Sequence, residues 1–249
     1  MSDPARLYGL NALVLNGGSG IGEAVARTLV KHGASVVAVD TANSGIERKF
    51  LAVKGITGLA ARLGDADQIP DAVQAAADEM GGIDILINDF PLSFELPIKA
   101  SAAILDTVLQ SRAELTTAAY RAALPYLKKS PAGRVVNMGL LRSCFAANAN
   151  EAYVRAEQDL KNLTREMAVE IGEFGITANY VQPGGVMTPD SRDVFRRESG
   201  LRDHCIKQSA ARRLGEPVDI AKVVLFLASD DAVFVSGTGI AVDGGRTGD

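Results

Sequence analysis

The chain has 249 residues, 47% hydrophobic and 5% aromatic with no Trp, and 25 glycines, a composition that suits one domain cored by Ala, Val, Leu and Ile. Its 26 basic and 30 acidic residues leave a net charge of -4, which gives no general attraction to nucleic acid or anionic lipid. Cys144 and Cys205 stand alone, without zinc-ligand spacing, and the longest strongly apolar run, VVLFLA at 223–228, is too short to span a bilayer; a reduced, cytoplasmic protein with no metal is expected.

In chain order, NALVLN (11–16) reads as a strand, followed by a glycine-rich turn and a helix that Gly33 ends. ASVVAVD (34–40) is the second strand. IDILIN (83–88), GRVVNM (133–138) and GITANYV (175–181) lack polar alternation, as strands covered on both faces do. Long helical patterns fill 101–128 and 151–173, and a helix and strand fill 217–243. Strand alternating with helix predicts an α/β fold: a single-domain Rossmann fold over 1–249, with a doubly wound parallel sheet and helices on both faces. Residues 184–210 are charged and poorly periodic, and read as a substrate loop or lid.

The turn NGGSGIG (16–22) follows the first strand and opens a helix. Glycines there let backbone approach a pyrophosphate that the helix N-terminus favours electrostatically, which makes Gly17, Ser19, Gly20, Ile21 and Gly22 candidate cofactor contacts. Asp40 ends the second strand, where a carboxylate binds a ribose 2′-hydroxyl and repels a 2′-phosphate. NAD is therefore favoured over NADP.

With these motifs in place, the sequence resembles the short-chain dehydrogenase/reductase family along nearly its whole length. LVLNGGSGIGEAVA resembles the family's cofactor turn, IDILIN the strand before its Asn-rich motif, and GRVVNM the strand leading to its catalytic serine. YVQPGGVMTP resembles the segment that holds the nicotinamide, which implies roles for Pro183, Gly184 and Thr188, and residues 213–245 resemble the family C-terminus. Asn88 matches the first Asn of the Asn-Asn-Ala-Gly turn.

The same resemblance exposes departures. The family's catalytic tyrosine is Tyr153, but its lysine position is Glu157, its serine position Leu140 and its asparagine position Arg112. Tyrosine ionises near ~10, and a cation lowers that value while an anion raises it. One charge at ~4 Å in an effective dielectric of ~20 is worth ~4 kcal/mol, so Glu157 opposes the ionisation a lysine promotes. Arg112 and Glu157 are expected within ion-pair reach. Asp89, Phe90 and Pro91 replace small or neutral groups, with the Phe90 ring expected in ligand space, and Arg62 and Leu63 stand where an Asp and a Val usually frame the adenine. Ungapped alignment puts Asn16 on the first glycine of the turn; a one-residue shortening would keep Gly17 there.

Three readings follow. The first is a non-catalytic subunit that pairs with a homologous active chain, as a heterotetramer in which NAD serves the complex rather than this chain. It resembles the degenerate partners in heteromeric hydroxyacyl-CoA dehydrogenases of the benzylsuccinate route, with a CoA thioester as the implied substrate class. The second is an NAD-dependent oxidoreductase of secondary alcohols and ketones in its own right, using Tyr153 and Arg112. The third makes Glu157 a proton shuttle without net redox change. Arg192, Arg196, Arg197 and Arg202 are read as a solvated face rather than a phosphate site, and His32 and His204 as surface residues.

Overall fold

A computed structural model describes residues 6–90, 102–139 and 151–245, the side chains of 102–106 and 151–153 excepted. Seven strands form one sheet: β1 (Asn11–Leu15), β2 (Ser35–Asp40), β3 (Ile56–Ala60), β4 (Ile85–Asn88), β5 (Arg134–Met138), β6 (Thr177–Pro183) and β7 (Gly239–Val242). Their order is β3-β2-β1-β4-β5-β6-β7, every pairing parallel. The predicted doubly wound sheet is present. The order reverses between β1 and β4, so a crevice opens beyond their carboxyl ends.

Eight α-helices flank the sheet among the described residues: α1 (Gly20–Lys31), α2 (Ile46–Phe50), α3 (Ile69–Met80), α4 (Ala102–Leu127), α5 (Glu151–Ile171), α6 (Pro189–Arg197), α7 (Ser199–Gln208) and α8 (Pro217–Ala228). The strands carry apolar side chains on both faces because both faces are covered. On one side Val14, Ile87 and Val136 meet Val25 and Leu29 of α1 and Ile220 and Val224 of α8. On the other, Leu13, Leu86 and Val135 meet Ile69 and Val73 of α3, Tyr120 of α4 and Met167 of α5. Fully burying each such side chain contributes about 1.5–3 kcal/mol. These two layers fix where the strand ends emerge.

Two expectations need correction. Residues 184–210 are not a loop, since α6 and α7 occupy most of them. Thr188 caps α6: its Oγ1 accepts from Ser191 N at 3.1 Å, and Ser191 Oγ accepts from Thr188 N at 2.8 Å. Such reciprocal capping starts a helix whose low overall hydrophobicity conceals it. His32 is buried rather than on the surface; it follows α1 and its Nδ1 lies 2.8 Å from Thr28 O.

The C-terminal strand anchors the 184–210 segment at both ends. Gly184 N donates to Val242 O at 2.9 Å, and a Cβ on Gly184 would stand 2.6 Å from Asp243 Cα. At the far end, Ala210 N donates to Gly245 O and Ala211 N to Gly244 O, at 2.7 and 2.9 Å.

Candidate active site

The turn after β1 is built by close approach. A Cβ on Gly22 would lie 2.1 Å from Asn16 O, and one on Gly17 would lie 2.7 Å from Ala38 Cβ, so neither position admits a side chain without moving backbone or β2. Asn16 has φ 58° and Gly20 φ 56°. Asn is the non-glycine residue that best tolerates this region, and its place in the turn fits the ungapped alignment: Asn16, not Gly17, opens the turn. Ser19 is exposed and precedes α1, while Ile21 packs into the α1–α8 layer.

Asp40 closes the turn from β2. Its Oδ2 accepts from Gly18 N at 2.9 Å and its Oδ1 from Thr41 N at 2.6 Å. A Cβ on Gly18 would meet Asp40 Oδ2 at 2.4 Å. Beside it, Lys49 Nζ donates to Gly18 O and, at 2.9 Å, to Glu23 Oε2. The Lys49 and Arg27 partners hold the Glu23 carboxyl below its usual value against the opposing effect of burial. Thr188 reaches the turn from beyond β6, its Cγ2 lying 3.5 Å from where a Cβ of Gly20 would stand.

Past the turn a cavity of about 340 Å³ is lined by Asn16, Thr41, Leu63, Asp89, Phe90 and Arg112, among others. A second, of about 430 Å³, shares Thr41, Leu63 and Gly64 with it and adds Arg62. Phe90 is buried in the α3–α4 layer with Leu63 and Leu115 and also lines the first cavity. The clash-limited glycines, the Asp40 carboxylate and the two adjoining cavities together fit the adenosine end of a dinucleotide.

At the ends of β4 and β5 the side chains are unusual. Asn88 Nδ2 donates to Asn137 Oδ1 at 2.8 Å, and Asn137 Nδ2 to Thr164 Oγ1 at 3.0 Å. Asn88 Oδ1 is buried with no hydrogen-bond partner. Arg112, buried on α4, donates from Nε to Phe90 O at 2.6 Å and from Nη2 to Met138 O. Asp89 is buried; burial pushes its carboxyl up to about 6, against the Arg112 charge and a hydrogen bond from the Asn16 side chain, which lower it, while Asp40 adds to the rise.

Glu157, on α5, accepts from Gln182 Nε2 at the end of β6, and its Oε2 lies 3.4 Å from where a Cβ of Gly139 would stand. These described bonds of Arg112 and Glu157 run to different partners. The two side chains flank the carboxyl end of β5 from α4 and α5. Tyr153 lies in the first turn of α5 with its side chain outside the described residues, and Leu140 lies outside them altogether, as does Cys144. Pro183 ends β6 and Gly184 follows, both buried. Arg192, Arg196, Arg197 and Arg202 are exposed; Arg196 pairs with Asp193 and Arg202 with Asp203. Sequence reasoning missed that Asn16, Asp89 and Arg112 line one cavity, for which the only local signal was two new and opposite charges.

A family model described as enoyl-(acyl carrier protein) reductase matches residues 16–247. The chain is a member of the short-chain dehydrogenase/reductase family. It is 31% identical over 247 residues to the 3-oxoacyl-[acyl-carrier-protein] reductase FabG of Vibrio cholerae, covering 96% of this chain and 98% of that one. It is 30% identical over 256 residues to the D-beta-hydroxybutyrate dehydrogenase of Rhizobium meliloti, covering 95% and 98%. The crystal structure of levodione reductase superposes with a TM-score of 0.82 at 28% identity, covering 96% of this chain and 98% of that one. Ligand-free aldohexose dehydrogenase from Thermoplasma acidophilum gives the same TM-score at 23% identity over 98% and 96%, a likeness of fold. Members of this short-chain dehydrogenase/reductase family normally bind NAD(P). Among the described residues no helix is long and apolar enough to cross a membrane.

Proposed function

We propose that this chain is a short-chain dehydrogenase/reductase subunit that does not itself turn over an alcohol or ketone, and that it serves as the structural partner of a homologous, catalytically complete chain. One observation carries the reading: Glu157, in the family's lysine position, presents a carboxylate that Gln182 holds at the end of β5. An anion there disfavours tyrosinate at Tyr153, and a protonated tyrosine is a poor base for alcohol oxidation. Arg112, at the asparagine position, has its guanidinium engaged by two backbone carbonyls.

The dinucleotide-binding half supports NAD as the cofactor of the assembly. Gly17, Ser19, Gly20, Ile21, Gly22 and Asp40 would hold the adenosine and pyrophosphate, with Asn88, Pro183, Gly184 and Thr188 toward the nicotinamide, which when bound supplies hydride transfer. For assembly, β7 is one of the two edge strands of the sheet, and Val233 and the fully exposed Phe234 precede it; an edge strand beside apolar side chains favours pairing with another chain. A heterotetramer acting on a CoA thioester is the specific form of the proposal.

A second reading, an oxidoreductase in its own right, draws on Arg112: its guanidinium reaches Met138 O, so a cation does stand at the end of β5. The activities of the Vibrio cholerae and Rhizobium meliloti relatives support 3-oxoacyl and 3-hydroxyacyl compounds as its substrate class. Steady-state assays of the purified chain, with NADH or NADPH on acetoacetyl-CoA and with NAD+ or NADP+ on 3-hydroxybutyrate, separate the two. The subunit reading predicts no turnover above the Tyr153→Phe variant. Turnover that Tyr153→Phe abolishes, with the fold intact, overturns it.

A further inference from the structure

Gly18, in the turn after β1, is gripped at both ends of its backbone. Its N–H donates to Asp40 Oδ2 at 2.9 Å, and its carbonyl accepts from Lys49 Nζ. A Cβ at this position would meet Asp40 Oδ2 at 2.4 Å and Ser44 Oγ at 3.0 Å, so the turn lies directly against the end of β2 and the segment leading to α2. Lys49 reaches it from a firm base. The five-residue α2 is seated by Ile46 and Phe50, both buried, and a Cβ on Gly58 of β3 would stand 2.5 Å from Ile46 O. The same ammonium donates to Glu23 Oε2 at 2.9 Å, Glu23 also accepts from Arg27 Nε at 2.9 Å, and the Arg27 guanidinium lies 5.3 Å from the Phe50 ring centroid. One side chain thus joins the turn, α1 and α2.

We propose that Lys49 is a positioning residue for the dinucleotide turn: by holding Gly18 O it sets the plane of the Gly18–Ser19 peptide, and with it the direction in which the Ser19 N–H is presented. The inference rests on the reading that this half of the chain is shaped for a dinucleotide. Three physical points support it. The peptide is planar and trans, as is every described one, so a carbonyl drawn toward α2 turns the following N–H to the opposite side. Ser19 is the N-cap of α1, with extended backbone and no side-chain cap bond; the amides that open a helix have no partner within it and favour an anion. Glu23 stands in the first turn of α1, where a bare carboxylate would oppose a phosphate, and the Lys49 and Arg27 cations match its charge. Adjacent glycines at 17 and 18 leave the backbone free to adopt many conformations, so contacts from outside the turn must select one.

The test follows the Ser19 backbone amide by ¹H–¹⁵N NMR and titrates ADP calorimetrically into wild type, Lys49→Met, Lys49→Arg and Glu23→Gln. An ion pair as exposed as Lys49–Glu23 adds little to stability, so all four chains are expected to fold. In Lys49→Met the Ser19 ¹⁵N resonance, which reports hydrogen bonding at the preceding carbonyl, is expected to move, and ADP to bind about tenfold more weakly, the size of one hydrogen bond to a charged group. Lys49→Arg, which keeps the cation and its donors, should restore both. Glu23→Gln breaks the ion pair between α1 and α2 but leaves Gly18 O its donor; it should keep the Ser19 resonance in place and bind ADP no more weakly than wild type. A Ser19 resonance unmoved in Lys49→Met, or an ADP loss as large in Glu23→Gln as in Lys49→Met, overturns the proposal. A wild-type chain that takes up no ADP removes the dinucleotide reading instead, and the Ser19 resonance still decides the positioning.

Discussion

Gln182, near the end of β6, donates its side-chain amide to the carboxylate of Glu157 on α5. The bond commits Gln182 as a donor and holds a negative charge beside Gly139, at the strand end from which the active site departs. Reversing that charge alone would leave Leu140 without a hydroxyl and Arg112 in place. We therefore expect Glu157→Lys by itself to give little activity. The combination Glu157→Lys, Leu140→Ser, Arg112→Asn and Asp89→Asn, the last keeping the buried charges balanced, should raise NADH-dependent reduction of acetoacetyl-CoA by about a hundredfold, the size of one oxyanion donor. Tyr153→Phe in that background should remove the gain. Steady-state kinetics check both.

Gly22 abuts Asn16 O so closely that even a methyl group has no room. Gly22→Ala should separate the turn from α1 and lower the unfolding temperature by roughly 10 °C, corresponding to a strain of about 3–4 kcal/mol in a chain of this size. Differential scanning calorimetry measures it. Gly45, unlike Gly22, has a positive φ, and it meets nothing within 4 Å, so Gly45→Ala should cost far less, which separates collision from backbone preference.

Asp40 presents its carboxylate to Gly18 N and Thr41 N, leaving a fixed anion beside the turn. Although the subunit reading gives NAD to the partner chain, any dinucleotide this chain takes up should be NAD(H) over NADP(H) by at least about tenfold in a calorimetric titration, because a 2′-phosphate adds like-charge repulsion. Asp40→Ala should erase most of that ratio. Equal affinities in the wild-type chain would contradict the assignment.

Asp89 titrates at about 6 in the fold against 3.8 for the free group. Between those values the folded chain holds a proton that the unfolded chain has released. This contribution is therefore fully present below 3.8 and is lost as pH rises through about 6. A shift of about two units corresponds to about 3 kcal/mol. Urea unfolding of wild type and Asp89→Asn from pH 4 to 7 should show the variant gaining relative stability as pH rises, by an amount of that order.

Ser191 is fully buried, donating to Val186 O at 2.7 Å while accepting from Thr188 N. Ser191→Ala removes one partner from each, while Thr188 N still donates to Val186 O at 3.1 Å, and should cost about 1 kcal/mol, or roughly 3 °C in unfolding temperature.

The parts of this structure that are legible in the sequence are those set by local pattern. Runs such as IDILIN and GRVVNM announce doubly covered strands because nothing polar interrupts them, and Gly33, at φ 100°, ends α1 where expected. What escaped is set by contacts between distant residues. Nothing in Asn16 itself reveals that Asp89, 73 positions later, lines the same cavity, and Phe90 gives no sign that it packs into the α3–α4 layer. The helices α6 and α7 were hidden for another reason: their apolar contacts are few, and α6 begins with a Thr188–Ser191 exchange rather than a Ser-x-x-Glu box. Tyr153 and Leu140 are identified by alignment alone.

The bonds from Gly184 to Val242 and from Ala210 and Ala211 to Gly245 and Gly244 have a consequence for the order of synthesis. A ribosome releases α6 and α7 before the strand that pins both their ends has been made. That part of the crevice must therefore wait for residues 239–245, and a nascent polypeptide cut short before β7 would carry an assembled dinucleotide turn facing an unanchored roof.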